Sequence, residues 1–216
     1  MIWKLQAPVR SQFARLTSIY VKPTERTCEV CGHAVIPDLL VEWADGSDVI
    51  GDFIHAGARI VVRESAADRL RERFTGFEKA PVKMLDHPKL YSPERITKRT
   101  PKRIWLPYEG PPLCELRVSR HVELAPESTV VIERVCGACG AIVYKGFEGM
   151  ETKNSRVHTP RAPGKGLFVK RSQLEGDDFF KPRDTGLSLC TEAVKEYIQE
   201  QGFSNIDLLE AGELLD

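Results

Sequence analysis

The residues able to do chemistry in this chain are cysteines in a repeated setting: Cys28-Glu29-Val30-Cys31-Gly32 and, 108 positions on, Cys136-Gly137-Ala138-Cys139-Gly140. Together they use four of the six cysteines. A Cys-x-x-Cys turn aims two sulfurs at one point, and two such turns supply the four thiolates of a tetrahedral zinc site. The glycine after each second cysteine suits the sharp turn there, where a positive φ lets backbone N–H groups face the anionic sulfurs. The pattern predicts one metal site shared by distant parts of the chain, with Cys28, Cys31, Cys136 and Cys139 as ligands. Zinc is the expected ion, one per chain; rubredoxin-type iron takes the same sulfurs and is the alternative. Four protein ligands leave no open coordination position, so the predicted role is structural and not catalytic.

Other uses of these cysteines fit less well. A thioredoxin-like redox pair sits between a strand and a helix, and neither copy opens an obvious helix. Disulfides belong to oxidising compartments, and the N-terminal Met-Ile-Trp-Lys-Leu-Gln-Ala-Pro-Val-Arg-Ser lacks the basic-then-apolar run of a secretory signal. The expected location is the cytoplasm. His33 is close enough to the first motif to be an alternative ligand, although a surface or capping role is the simpler reading. His55, His87, His121 and His158 are scattered, with no His-x-x-x-His pair. Cys114 and Cys190 sit among leucines and read as buried, inert thiols. Asp177 and Asp178 are adjacent, so in a strand they would point to opposite faces and could not share acid/base work. Pro163-Gly164-Lys165-Gly166 lacks the remainder of a phosphate loop, and neither a Gly-x-Ser-x-Gly elbow nor a dinucleotide fingerprint occurs. The chain reads as a non-enzyme.

The elements that must position the cysteines are also expected in two copies. Asp52-Phe53 recurs as Asp178-Phe179 and Gly76-Phe77 as Gly202-Phe203, both at an offset of 126. Between these anchors lies a short strand pattern (Arg59 to Val62; Gly186 to Cys190) and then an amphipathic helix. The first helix is expected to start at Ser65 as N-cap, with Ala66, Ala67, Leu70 and Phe74 on one face. Its counterpart carries Ala193, Val194, Tyr197 and Ile198. The resulting expectation is an α+β fold of duplicated zinc-hairpin/strand/helix units, forming one two-lobed domain around a shared four-cysteine site. Residues 1–85 would form the first lobe, 86–113 a linker with six prolines, and 114–216 the second lobe. The second lobe has 18 extra residues between its motif and Asp178, placed in a long surface loop over 145–172. That loop holds seven basic and two acidic residues, and the linker adds Lys98, Arg99, Lys102 and Arg103. Trp105, Leu106 and Tyr108 are expected to pin the linker to the core.

Lysine plus arginine equals aspartate plus glutamate at 31 each, which removes any global attraction to nucleic acid or anionic membrane. Apolar runs such as Val130-Val131-Ile132 fall far short of the roughly 20 residues that cross a bilayer.

The doubled Cys-x-x-Cys-Gly, with the strand-helix-Gly-Phe unit over Thr185 to Phe203 and the tail from Ile206, resembles the double-CXXCG motif immunity proteins. That resemblance implies a bacterial protein that binds and neutralises a cognate contact-delivered protein toxin. It implies metal binding by Cys28, Cys31, Cys136 and Cys139 and carries over no other residue. Neither motif here has the proline that often follows the first cysteine in that family. Toxin contacts are expected from the 145–172 loop, the linker, and an acidic tail of Asp207, Glu210, Glu213 and Asp216. The alternative function is a zinc-ribbon-like nucleic-acid-binding or regulatory protein using the basic runs near Lys98 and Lys153.

Overall fold

In a computed structural model the described residues are 1–10, 12–19, 21, 27–32, 37–85, 108–154 and 156–216. His33, together with His87, the basic run Lys98 to Arg103, Trp105 and Leu106, lies outside them. The fold is mixed α+β, mostly sheet with two helices. The first part of the chain gives β1 (Ile2–Gln6), β2 (Ala14–Ile19), β3 (Leu39–Gly46), β4 (Phe53–Ala56), β5 (Arg59–Arg63), α1 (Glu64–Arg71) and β6 (Phe77–Met84). The second gives β7 (Leu113–Val118), β8 (His121–Val122), β9 (Val130–Val135), β10 (Ile142–Phe147), β11 (Thr152–Lys153), β12 (His158–Thr159) and β13 (Leu167–Lys170). It ends with β14 (Phe179–Pro182), β15 (Leu189–Thr191), α2 (Glu192–Glu200) and β16 (Asp207–Leu215).

Six strands close a barrel in the order β2-β3-β6-β7-β5-β4, and six more form a sheet in the order β13-β16-β1-β15-β14-β8. The two orders correspond strand for strand, with the same directions. The pairs β3·β6 and β13·β16 are parallel, as are β2·β4 and β8·β14. The antiparallel neighbours match in register as well: Leu113 of β7 faces Arg63, and Ile2 of β1 faces Thr191. Where the barrel closes through β2·β3, the sheet has no ladder among the described residues, and the chain after β8 meets β13 through the Ala125 N–H donating to the Phe168 carbonyl at 2.8 Å and the Thr129 N–H donating to the Gly166 carbonyl at 2.9 Å.

The lobe boundaries read from sequence are not followed by the sheets. The leading strand β1 lies between β15 and β16, and β7 lies between β5 and β6, so each part completes the other's sheet. Sequence patterning cannot see this, because a strand's alternation says which face is buried and not which neighbour it joins. A shared core fills the space between the sheets and contains both helices. Leu70, Phe74 and Phe77 meet Phe179, Tyr197, Ile198 and Phe203 there. Phe53 packs edge-on against Phe203 at 6.0 Å, and Phe179 packs edge-on against Phe74 at 6.5 Å. The Phe53 N–H donates to the Ser204 carbonyl at 3.2 Å and the Phe179 N–H to the Thr75 carbonyl at 3.0 Å. Separate cores fill the barrel, around Leu16, Val41 and Trp43, and the second sheet, around Leu167, Phe180 and Leu189.

Three sequence expectations need correction. The partner of Phe203 in this arrangement is Phe74, not Phe77: α2 has nine residues and α1 eight, so the shared Gly-Phe dipeptide is out of register. The first helix begins at Glu64 with Arg63 before it, and Phe74 lies past its end; in the second, Ala193 is exposed while Val194, Tyr197 and Ile198 are buried. The 145–172 segment is not a free loop. Its Leu167-Phe168-Val169 run is buried in β13 beside β16, because three consecutive apolar residues are stable only with both faces covered.

Candidate metal centre

Each Cys-x-x-Cys occupies the connection that follows the first strand of its sheet pattern, one after β2 and one after β8. The second is the turn of the β9–β10 hairpin, where the Cys136 N–H donates to the Ala141 carbonyl at 2.8 Å. The two turns have the same local bonding. The Gly32 N–H donates to the Cys28 carbonyl at 2.9 Å, and the Gly140 N–H to the Cys136 carbonyl at 2.8 Å. Gly32 has φ 73° and Gly140 φ 74°, the left-handed region where a side chain would add strain.

Tertiary folding then brings the two turns face to face. Cys28 Sγ lies 3.9 Å from Cys136 Sγ, and Cys31 Sγ lies 3.6 Å from Cys139 Sγ. All four sulfurs lie within 4.8 Å of one another. For a tetrahedral ion with Zn–S bonds of about 2.3 Å, neighbouring sulfurs should be about 3.8 Å apart, so the donor set fits. None of the six cysteines is in a disulfide.

The electrostatics favour a cation at the centre. The Ala138 and Cys139 N–H groups point at Cys136 and bring its thiol down to about 6. The Cys31 N–H lowers that of Cys28. At Cys139 the Ala141 N–H favours the thiolate, yet desolvation and the hydrogen-bonded sulfurs of Cys28, Cys136 and Cys31 push it up to about 12. Several thiolates cannot share this volume unless a positive ion compensates them. The hairpin is braced from the second sheet, as the Ile142 N–H donates to Asp184 Oδ2 at 3.0 Å.

The remaining chemistry-bearing residues stay apart from this cluster. Among the described residues the metal-binding group consists of the four cysteines alone. His55 Nδ1 lies 3.0 Å from the Ala7 carbonyl, and His158 lies 2.6 Å from Glu151. Burial lowers the pKa of His121. Cys114 and Cys190 are buried as expected; desolvation pushes the thiol of Cys114 up to about 11 and that of Cys190 well above its usual range. Asp177 binds Arg120 at 2.7 Å while Asp178 accepts from the Thr191 hydroxyl at 3.2 Å, so the two carboxylates serve different partners. Tyr108 does reach the core, against Trp43 at 5.9 Å.

The acidic tail is paired within the chain. Asp207 is held by Arg10 at 2.7 Å and Lys153 at 2.9 Å, while Arg161 spans Glu210 at 2.9 Å and Glu213 at 2.7 Å. Lys153 and Arg161 come from the basic 145–172 segment, so two surfaces expected to face a partner neutralise each other. Charge runs far apart in sequence carry no signal that they will meet. Residues that sequence reasoning did not single out are Lys4, in the middle of β1, and Arg10 and Asp184, which lie between strands; none belongs to a motif.

No protein-family model matches this chain, and no curated protein matches it. Among the described residues no helix is long and apolar enough to cross a membrane.

Proposed function

We propose that this protein is an immunity protein, a recognition scaffold that binds and neutralises a cognate protein toxin, with one structural zinc ion as its staple. The observation that carries this reading is the closed group of four sulfurs from two distant turns. Such a site has no position for a substrate or activated water, so its contribution is to shape. Affinity in a protein of this kind comes from a rigid surface with a few buried anchors, which a braced two-sheet core supplies. The resemblance of the doubled motif to immunity proteins names the partner class.

We also infer that the two halves are duplicates arranged about the metal. The repeated strand order, the matched registers and the reciprocal Phe53–Phe203 and Phe179–Phe74 contacts support this reading. Each half then gives one cysteine turn to the ion and one strand to its partner's sheet.

The test is co-expression with the protein encoded beside this gene. Rescue of growth from that protein's toxicity, and a complex that survives gel filtration, are the expected results. Toxicity unchanged by co-expression, with the two proteins eluting separately, would overturn the reading.

A further inference from the structure

A cleft of about 1070 Å³ opens beside the β9–β10 hairpin, between the barrel and the second sheet. Part of its lining is apolar and comes from β10: Ile142, Val143, Tyr144 and Phe147, with the last two rings 5.2 Å apart. The lining also carries four cations, Lys4, Arg10, Arg59 and Lys153, against two carboxylates, Asp184 and Asp207. Asp184 is engaged by the Ile142 N–H, and Asp207 is already shared by Arg10 and Lys153 on one oxygen. Arg59 is taken by Glu115 and the Pro37 carbonyl. Lys4 is left over. It is half-buried and makes no ion pair among the described residues. Desolvation holds its pKa below the usual lysine range despite the attraction of Glu151. The carboxylate of Glu151 is itself occupied, by His158 at 2.6 Å and the Glu210 N–H at 2.6 Å.

The matched registers show what is missing. Lys4 of β1 faces Leu189 and Leu209, and the corresponding residue of β7, facing Val61 and Ala80, is Glu115. Glu115 is buried and fully served, by Arg59 and by Arg117 at 3.0 Å. One sheet therefore provides both signs at this position, and the other provides only the cation. A charge drawn out of water without a partner is costly, and an external anion would offset that cost through a charge-assisted hydrogen bond.

We propose that this cleft binds a ligand with an anionic head, a carboxylate or phosphate, on an apolar body. The head sits on Lys4 in the field of Arg10 and Lys153, and the body lies against Tyr144 and Phe147 of β10. The proposal does not depend on the immunity reading.

The experiment titrates the metal-loaded full chain with 8-anilinonaphthalene-1-sulfonate, followed by fluorescence, beside the uncharged N-phenyl-1-naphthylamine. Saturable binding at one site is expected. Lys4→Met should weaken the anionic probe about tenfold, the scale of one hydrogen bond to a charged group, while Lys4→Arg retains it and the neutral probe is indifferent to either change. Tyr144→Ala should weaken both probes. Benzoate and phenyl phosphate, which share a phenyl body and differ in the head, should each displace the anionic probe, and the stronger competitor identifies the head group. Circular dichroism and metal content matching the parent show that a variant is folded. Should Lys4→Met not fold, Lys153→Gln, at a more exposed position, takes its place and should weaken the anionic probe alone. An anionic probe that fails to saturate, or that binds the folded charge variants as tightly as the parent, overturns the proposal.

Discussion

At the scale of single residues, type and spacing were enough to pick out the four sulfurs that the fold brings together as a candidate metal site. A thiolate's chemistry and the short reach of a Cys-x-x-Cys turn are local properties, so Cys28, Cys31, Cys136 and Cys139 could be named before any fold was known. Their local surroundings separate them from the other two thiols. In the metal-loaded native protein, iodoacetamide should label none of the six cysteines rapidly: four are held as metal ligands, while burial keeps the thiols of Cys114 and Cys190 protonated. Denaturation with a chelator should expose all six, and mass spectrometry after a short pulse counts them. Rapid native labelling of Cys114 or Cys190 would contradict their placement in the core. Serine at Cys28 or Cys136 should abolish metal binding and most of the folded population, because structural zinc contributes on the order of 10 kcal/mol even in small peptides. Lys4 was not legible at this scale, since its lack of a partner depends on a strand crossing that no local pattern announces.

At the scale of elements, helix positions and the strand patterns around them were legible from periodicity, and the exchange of β1 and β7 was not. That exchange makes the first strand essential. Trp3 in β1 donates to Glu192 of α2 at 2.7 Å, and Lys195 lies 4.6 Å from the Trp3 ring and 2.8 Å from the same carboxylate. Desolvation opposes ionisation of Glu192, but the hydrogen bonds from Lys195 and Trp3 outweigh it and leave its pKa lowered. A carboxylate with a depressed folded-state pKa adds stability above its unfolded pKa and loses that contribution as pH falls through the folded value. Glu192→Gln should therefore lower the melting temperature by a few degrees at pH 7, and the gap from the parent should close in acid. An equal gap at every pH would mean that the charge is not what matters. Gly212 tests the parallel pairing of β13 with β16. A Cβ there would lie 1.7 Å from the Leu167 carbonyl oxygen, so Gly212→Ala should cost about 2–3 kcal/mol in urea unfolding. A neutral result would show that the two strands do not approach so closely.

At the scale of the whole molecule, the doubled motif gave the expectation of a repeat, with the extra residues of the second part placed in a surface loop over 145–172. What those residues do was misjudged. Charge pairing between Arg161 and the terminal strand, and the burial of β13, come from contacts the chain makes only when folded. The molecule is built of two interlocked sheets, each completed by a strand from the other half of the sequence, with one cluster of four sulfurs between its two cysteine turns. Such a molecule should unfold in one transition, and a metal chelator should lower its midpoint rather than split it in two. Two well-separated transitions would mean that the sheets are independent units. The most direct measurement is elemental analysis of protein purified under reducing conditions without chelator or affinity metal. The account predicts one zinc ion per chain, lost together in Cys28→Ser and Cys136→Ser; a metal-free folded protein, or a variant lacking one turn that keeps its full metal content, would contradict it.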